Sequence, residues 1–317
     1  MDNLTHTLTG LMLSRAGLRH FHPRASLLLM LAANAPDSDV VSAAGGVATY
    51  FQYHRGITHA LVFVPIMALL PVLIVWAIYR KHPPLFLRAW LLSMAGVASH
   101  LLLDLTNPYG IRLFLPWDTS WPMLSITSVV DVWIWAVLLF AVAAPVLSRL
   151  VSSEIGARSS SGQGIAVAAL LLMTVYDTGR WFLHQRAVSV LEAQNYGGEV
   201  PLRVFALPDK LNPFQWDGVI ETQASFAQRR IFLTGVQEDS PPKISYKPES
   251  SLAIEAAARD PLVRNLREFS KAPLWTVTPA PEVENATKVG TTDLFFGFTA
   301  TAIVDSTNRV VSSQFHF

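Results

Sequence analysis

His100 and Asp104 stand four residues apart in Ser99-His100-Leu101-Leu102-Leu103-Asp104. On a helix both project from one face, a turn apart. The stretch that leads to them, Trp90-Leu91-Leu92-Ser93-Met94-Ala95-Gly96-Val97-Ala98, is otherwise compatible with lipid. Ionisable groups at membrane depth are costly and point to function by default, although a His–Asp hydrogen bond can also simply lock two helices. Two further stretches carry the same donor chemistry: Ala35-Pro36-Asp37-Ser38-Asp39, and His54-Arg55-Gly56-Ile57-Thr58-His59 with its histidines five apart around a glycine. Taken singly, Asp37 and Asp39 read as caps for a following helix, and His6 as a surface or capping histidine. Together they offer imidazole nitrogens and carboxylate oxygens to one ion. The chain has no cysteine, which excludes disulfides and thiolate metal sites. A transition-metal site must then use His and carboxylate, which favours a divalent ion such as zinc or manganese.

The elements that must position these groups follow from composition. Hydrophobic residues make up 51% and charged residues 15%, against about 25% charged in a typical soluble protein. The deficit is uneven: residues 1–185 hold eight of the 23 acids (Asp2, Asp37, Asp39, Asp104, Asp118, Asp131, Glu154, Asp177). Residues 1–185 therefore read as a membrane-embedded helical domain, and residues 186–317 as a soluble, α+β but mostly β, C-terminal domain. A net charge of +1 without a basic cluster gives no sign of nucleic acid as a partner. No basic n-region or small-residue cleavage site is visible at the N-terminus.

Residues 3–20 are expected as a helix capped by Asn3 or Thr5. Ala25 to Ala35 is a short helix of about eleven residues, too few to span a bilayer, and Ala43 to Tyr53 a loop or interfacial segment. Four runs are long enough to span: Ala60–Tyr79, kinked by Pro65 and Pro71; Leu85–Leu105; Val129–Leu150, headed by Asp131; and Gly164–Leu183, where Asp177 and Arg180 mark an early exit or an internal ion pair. Arg80-Lys81-His82-Pro83-Pro84 joins the first two, and Arg158 with Ser159-Ser160-Ser161-Gly162 the last two. An up–down path brings Asp37, Asp39, His54, His59, His100, Asp104 and Asp131 to the same membrane face, and independent helix-locking pairs have no reason to converge in this way. Beyond residue 186, strands are expected at 202–207, 219–226, 229–234, 275–278, 294–304 and 310–317, with Asp305-Ser306-Thr307-Asn308 a hairpin turn. Helices are expected at 251–259 and 261–269, the second with Asp260 as cap and Pro261 at its first position. Phe214 and Trp216 read either as core or as part of a lid over the site.

With these pieces in place, the chain resembles the YdjM-like family of inner-membrane-bound metal-dependent hydrolases. The matching stretches are Met1-Asp2-Asn3-Leu4-Thr5-His6, Ala35 to Asp39, His54 to His59, and Ser99 to Asp104 with Asn107-Pro108-Tyr109-Gly110. The resemblance implies a helical, metal-binding membrane domain, distantly similar to zinc-dependent phospholipase C and single-strand nucleases. In that superfamily His and Asp ligands, including a His-x-x-x-acid pair on a helix, hold a zinc cluster that hydrolyses phosphoesters. The pair here closes with Asp104 where the phospholipase pattern has Glu.

The leading expectation is a membrane-bound hydrolase. His6, His54, His59 and His100 supply nitrogen ligands, and Asp37, Asp39 and Asp104 oxygen ligands. A metal-activated water attacks a phosphoester or other ester of an amphiphilic, lipid or lipid-linked substrate. Asp39 or Asp131 serves as general base, and Arg55 or Arg112 neutralises an anionic group. For Arg55, interfacial snorkelling is the competing reading. The alternative is a non-catalytic, metal-stabilised membrane scaffold whose soluble domain binds a partner; a proton or ion path is a third reading. Arg80, Lys81, Arg88, Arg149 and Arg158 lie in the loops opposite the site, which places those loops in the cytoplasm and the metal face and C-terminal domain outside it. Arg15, Arg19, Arg24 and Arg55 pull the other way.

Overall fold

A computed structural model describes residues 1–80, 85–155, 162–235 and 241–316. Parts of the two basic connections, at 81–84 and 156–161, lie outside the described residues, as does Phe317 at the end of the last expected strand. Two compact units divide the chain. The first holds Met1–Asp39, Arg55–His184 and Pro208–Pro213; the second holds Val40–His54, Gln185–Leu207 and Phe214–Phe317.

In the first unit, α1 (Asn3–Ala16) is capped by Asp2, whose carboxylate accepts from the amides of Leu4 and Thr5. Asp2, rather than Asn3 or Thr5, does this because only a side chain ahead of the first turn reaches those orphan donors. Gly17 ends the helix, and Leu18–His20 continue as a 3-10 turn. α2 (Ala25–Ala32) follows, and a 3-10 stretch (Pro36–Gly45) carries Asp37 and Asp39. The first spanning run is broken: α4 (Val64–Met67) and α5 (Leu69–Ile78) are separated at Ala68, where Pro71 lacks the amide that would carry the hydrogen-bond ladder across. α6 (Phe86–Thr106), α7 (Val132–Ile155) and α8 (Gln163–Glu192) are continuous.

Leu61–Ile78, Phe86–Thr106, Val132–Arg149 and Gln163–Glu192 are long and apolar enough to cross a membrane. They expose large apolar side chains such as Leu73, Leu91, Phe140 and Val175, surfaces that lipid can cover and water cannot. α8 runs on as helix past Asp177 and Arg180 to Glu192. Arg180 is buried, its Nε donating to the carbonyl of Ile126 at 2.8 Å and its Nη1 to that of Pro213.

Close packing of α1, α2 and α6 sets the site. Gly10 of α1 lies against the backbone of Leu29, where an added Cβ would come within 2.5 Å of the carbonyl oxygen. Gly96 of α6 lies against Ala32, where a Cβ would come within 2.6 Å of the Ala32 methyl. Neither position tolerates a side chain without separating the helices.

The second unit begins with α3 (Val47–Tyr53), a short helix where the sequence reads as a loop or interfacial segment. Its strands form two four-stranded sheets, β1–β4 and β5–β8, each in sequence order. The first comprises β1 (Arg203–Pro208), β2 (Gln215–Glu221), β3 (Ser225–Phe232) and β4 (Lys243–Tyr246). The second comprises β5 (Pro273–Ala280), β6 (Ala286–Asp293), β7 (Thr299–Val304) and β8 (Val310–His316). β4 and β6 are absent from the sequence expectation. β6 reads Ala-Thr-Lys-Val-Gly-Thr-Thr-Asp, whose single large aliphatic residue gives no alternating signal. α9 (Leu252–Arg259) and α10 (Pro261–Phe269) lie between the sheets in sequence, with Asp260 capping the second as its spacing requires. Trp216 is fully buried in β2, so it is core and not part of a lid.

Candidate metal centre

One donor atom from each of Asp37, His59, His100 and Asp104 lies within 4.8 Å of every other. The 3-10 stretch Pro36–Gly45 after α2 brings Asp37, the 3-10 turn Ile57–His59 brings His59, and one face of α6 brings His100 and Asp104. His100 Nε2 is 3.2 Å from His59 Nε2, 3.3 Å from Asp104 Oδ2 and 3.6 Å from Asp37 Oδ1. His59 Nε2 is 3.4 Å from Asp104 Oδ2 and 3.6 Å from Asp37 Oδ1. Imidazole nitrogens and carboxylate oxygens bind zinc at about 2.0–2.2 Å, so the edge of a tetrahedral donor shell is about 3.3–3.6 Å. The five distances scatter around that edge.

The donor atoms fit an ion in a second respect. Asp104 is fully buried, and among the described residues its Oδ2 has no well-formed hydrogen bond, only the two Nε2 atoms that it faces at 3.3 and 3.4 Å. A buried carboxylate oxygen left unsatisfied costs about 1–3 kcal/mol or more, and a cation between the four donors removes that cost. The residues present therefore fit a divalent metal.

The surroundings aim the donors. The backbone carbonyl of Ala33 lies 2.7 Å from His100 Nδ1. It accepts that proton and leaves Nε2 with its lone pair toward the cluster. His59 Nδ1 meets the Thr58 hydroxyl at 3.0 Å and the Asp39 carboxylate at 3.6 Å. Asp39 Oδ2 in turn accepts from the Arg55 amide at 2.7 Å and from Thr58 Oγ1 at 3.3 Å. Burial pushes His59 down, but the Asp104 and Asp37 carboxylates outweigh it and hold this imidazole above its ordinary range. Burial likewise pushes Asp37 up, and His59 and His100 more than reverse it, so Asp37 stays ionised.

Arg55 neither snorkels nor faces solvent. Its guanidinium is buried, with Nη2 on Asp104 Oδ1 at 3.2 Å and Nη1 on Asn107 Oδ1 at 3.2 Å and on the Gly110 carbonyl at 3.3 Å. The backbone amine of Met1 also donates to Asp104 Oδ1. His6 is fully buried, stacked on His100 at 3.9 Å between ring centroids, with Nε2 3.3 Å from Asp104 Oδ1. Burial, with help from His100, pushes its pKa down to about 3 against the nearby Asp104 carboxylate.

Two expected residues stand elsewhere. His54 closes α3 in the second unit, its ring stacked on Tyr50. Asp131 caps α7, accepting from the Trp133 and Ile134 amides and from the Tyr176 hydroxyl at 3.0 Å. Arg112 lies over the Trp121 ring. The sequence reading assigned no role to Thr58, Asn107 or the Ala33 carbonyl. Asn107-Pro108-Tyr109-Gly110, a turn directly after the α6 ligands, carried the one available signal.

Among known proteins, the sequence model described as "YdjM inner membrane protein" matches residues 1–187. The chain is 30% identical over 154 residues to "Uncharacterized protein YfhP" of Bacillus subtilis (strain 168), covering 45% of this chain and 46% of that one. It is 35% identical over 105 residues to "Inner membrane protein YbcI" of Escherichia coli (strain K12), covering 32% of this chain and 59% of that one. The chain thus spans about half the length of the curated relatives it matches. No solved structure matches it.

Proposed function

Because the chain belongs to the YdjM inner membrane protein family, a multi-pass membrane protein with a His/Asp cluster able to hold a metal, we propose that it is a membrane-bound metal-dependent hydrolase. The substrate class is an amphiphilic or lipid-linked phosphoester or other ester. Asp37, His59, His100 and Asp104 hold the ion, zinc by preference for this donor set and spacing. An ion bound there supplies Lewis acidity and lowers the pKa of a water beside it.

The chain's own groups do the rest. Ala33 and Asp39 orient the two imidazoles, and Arg55 and Asn107 fix Asp104. Of the two expected carboxylates, Asp39 stands one step behind His59 and serves as proton acceptor, while Asp131 is engaged in capping α7. Arg55, bound to Asp104, acts on charge at the site from behind that ligand.

The observation that carries this reading is the donor cluster with one partly open member. The Asp37 side chain retains 17% exposure while those of His59, His100 and Asp104 are sealed at 0%. Solvent and a head group therefore have an approach from the Asp37 side. A second reading has its own support: four protein donors already complete a tetrahedral shell, as in a closed structural site. Purified wild type and His100→Ala, loaded with zinc or manganese, separate the two when screened for phosphate release and lipid hydrolysis. Turnover in wild type that His100→Ala lacks supports the hydrolase. Tightly bound metal without turnover on any substrate supports the scaffold.

The basic loops further support a metal face outside the cytoplasm. With Ser160→Cys and Ser306→Cys in this cysteine-free chain, an impermeant thiol reagent on intact cells is expected to label only the second. Labelling of only the first inverts the topology.

A further inference from the structure

We propose that the second unit sets the donor geometry of the metal centre through residues 40–54, with Phe51 and Asn265 as positioning residues; this rests on the metal reading above. The chain leaves the first unit after Asp39 and re-enters it at Arg55. Both ends of that excursion carry site groups: Asp37 and Asp39 before it, Arg55, Thr58 and His59 after it. The ends are tied where the Arg55 amide donates to Asp39 Oδ2 at 2.7 Å.

What holds the excursion belongs to the second unit. Phe51 of α3 is buried, and its ring lies 5.1 Å from that of Phe269, 5.4 Å from that of Phe315 and 5.8 Å from that of Phe298. Asn265 of α10, itself buried, donates to the Ala48 carbonyl at 2.9 Å. A satisfied polar group among apolar neighbours fixes one seating of α3 against slippage.

Arg55 makes the site sensitive to that seating. Its φ is +52°, a left-handed conformation unusual for a residue with a side chain. Such strain persists only where the surroundings over-determine it. Here Asp39 holds the amide, while Asp104, Asn107 and Gly110 hold the guanidinium. If α3 comes loose, the directly preceding chain no longer constrains Arg55. It can then relax to an ordinary φ, which withdraws the amide from Asp39 and the guanidinium from Asp104. Both groups that orient the ligands His59 and Asp104 are then disturbed together.

The test uses the full-length protein in detergent and four variants: Phe51→Ala, Phe51→Leu, Asn265→Ala and Val219→Ala. Val219 is buried in another apolar cluster of the same unit, with Phe226 and Ala272. Amide hydrogen exchange at residues 55–59 is read in metal-free protein, and zinc affinity by chelator competition. Phe51→Ala is expected to speed exchange at Arg55 and His59 and to weaken zinc, each about tenfold. Phe51→Leu should recover most of both, and Asn265→Ala should show a smaller change in the same direction. Val219→Ala should lower the stability of its unit and change neither.

Wild-type exchange at 55–59 in both Phe51→Ala and Asn265→Ala overturns the proposal. So does equal acceleration in Val219→Ala, which would mean general loosening. Should Phe51→Ala not fold, Asn265→Ala and Phe51→Leu carry the same comparison. A wild type that binds no zinc overturns the metal reading, and the exchange measurement still decides the positioning claim.

Discussion

Replacing His100 by alanine removes one of four donors, and the structure sets what that should cost. Its Nε2 makes three of the five short donor–donor distances, to His59, Asp104 and Asp37 at 3.2, 3.3 and 3.6 Å. Holding a structural zinc with four protein ligands is worth about 10–16 kcal/mol near neutral pH. An even share per ligand is about 2.5–4 kcal/mol, which is about a hundredfold to a thousandfold in affinity. Thr58→Val, which removes only the hydroxyl beside His59 Nδ1, should cost about tenfold, as outer partners of a ligand typically do. The ordering is the informative part: His100→Ala far below Thr58→Val, and His54→Ala within about twofold of wild type, an experimental-error margin on additive effects. Metal content by elemental analysis of detergent-purified protein, with chelator competition, measures all three. Full occupancy and wild-type affinity in His100→Ala would refute the reasoning and return His100 and Asp104 to a helix-locking pair.

Other consequences are open to measurement. Arg55→Met leaves the buried Asp104 carboxylate without its guanidinium and should destabilise metal-free protein by about 3 kcal/mol; zinc should restore part of the lost thermal stability, and an unchanged melting temperature would speak against the ion pair. Gly96→Ala drives a methyl onto Ala32 and should cost about 1–3 kcal/mol by overpacking, read as a lower melting temperature with weaker zinc binding. In the second unit, burial holds the Asp293 carboxyl above the ordinary aspartate range, against hydrogen bonds from Ser270 and the Phe296 amide. The folded unit therefore holds that proton more tightly than the unfolded chain. This contribution is fully present below the ordinary aspartate range and is lost as pH rises through the folded value. Asp293→Asn should flatten that limb of the stability–pH curve, and an unchanged curve would exclude Asp293 as its source.

Much of the first unit was legible because its signals are local. His100 and Asp104 share a helix face by spacing alone, and the four apolar runs announce themselves by length. Asp260 with Pro261 marks a helix start within two residues. The misreadings arose where partners are distant. α3 looks like a loop or interfacial segment because Gly45 and Gly46 precede a short aromatic stretch, and its helix is fixed by Phe269 and Asn265, more than two hundred residues away. β6 carries little alternation, but its neighbours β5 and β7 supply the hydrogen bonds on both sides.

The sequence by itself determined the donor chemistry. Without cysteine, with histidines and aspartates in short clusters beside apolar runs, only a nitrogen-and-oxygen site at helix ends was open to it. The tertiary structure decided which donors meet. Asp37, His59, His100 and Asp104 converge because Gly10 and Gly96 let three helices approach within the thickness of a backbone. Asp131 is engaged as a helix cap, and Arg55 turns inward because Asp104 and Asn107 offer it partners away from water. Which unit residues 40–54 fold with was likewise decided by packing between segments far apart in the chain. Spacing along a sequence reports neighbours within a turn or a strand, whereas such partnerships depend on loop closures whose outcome is written in no local pattern.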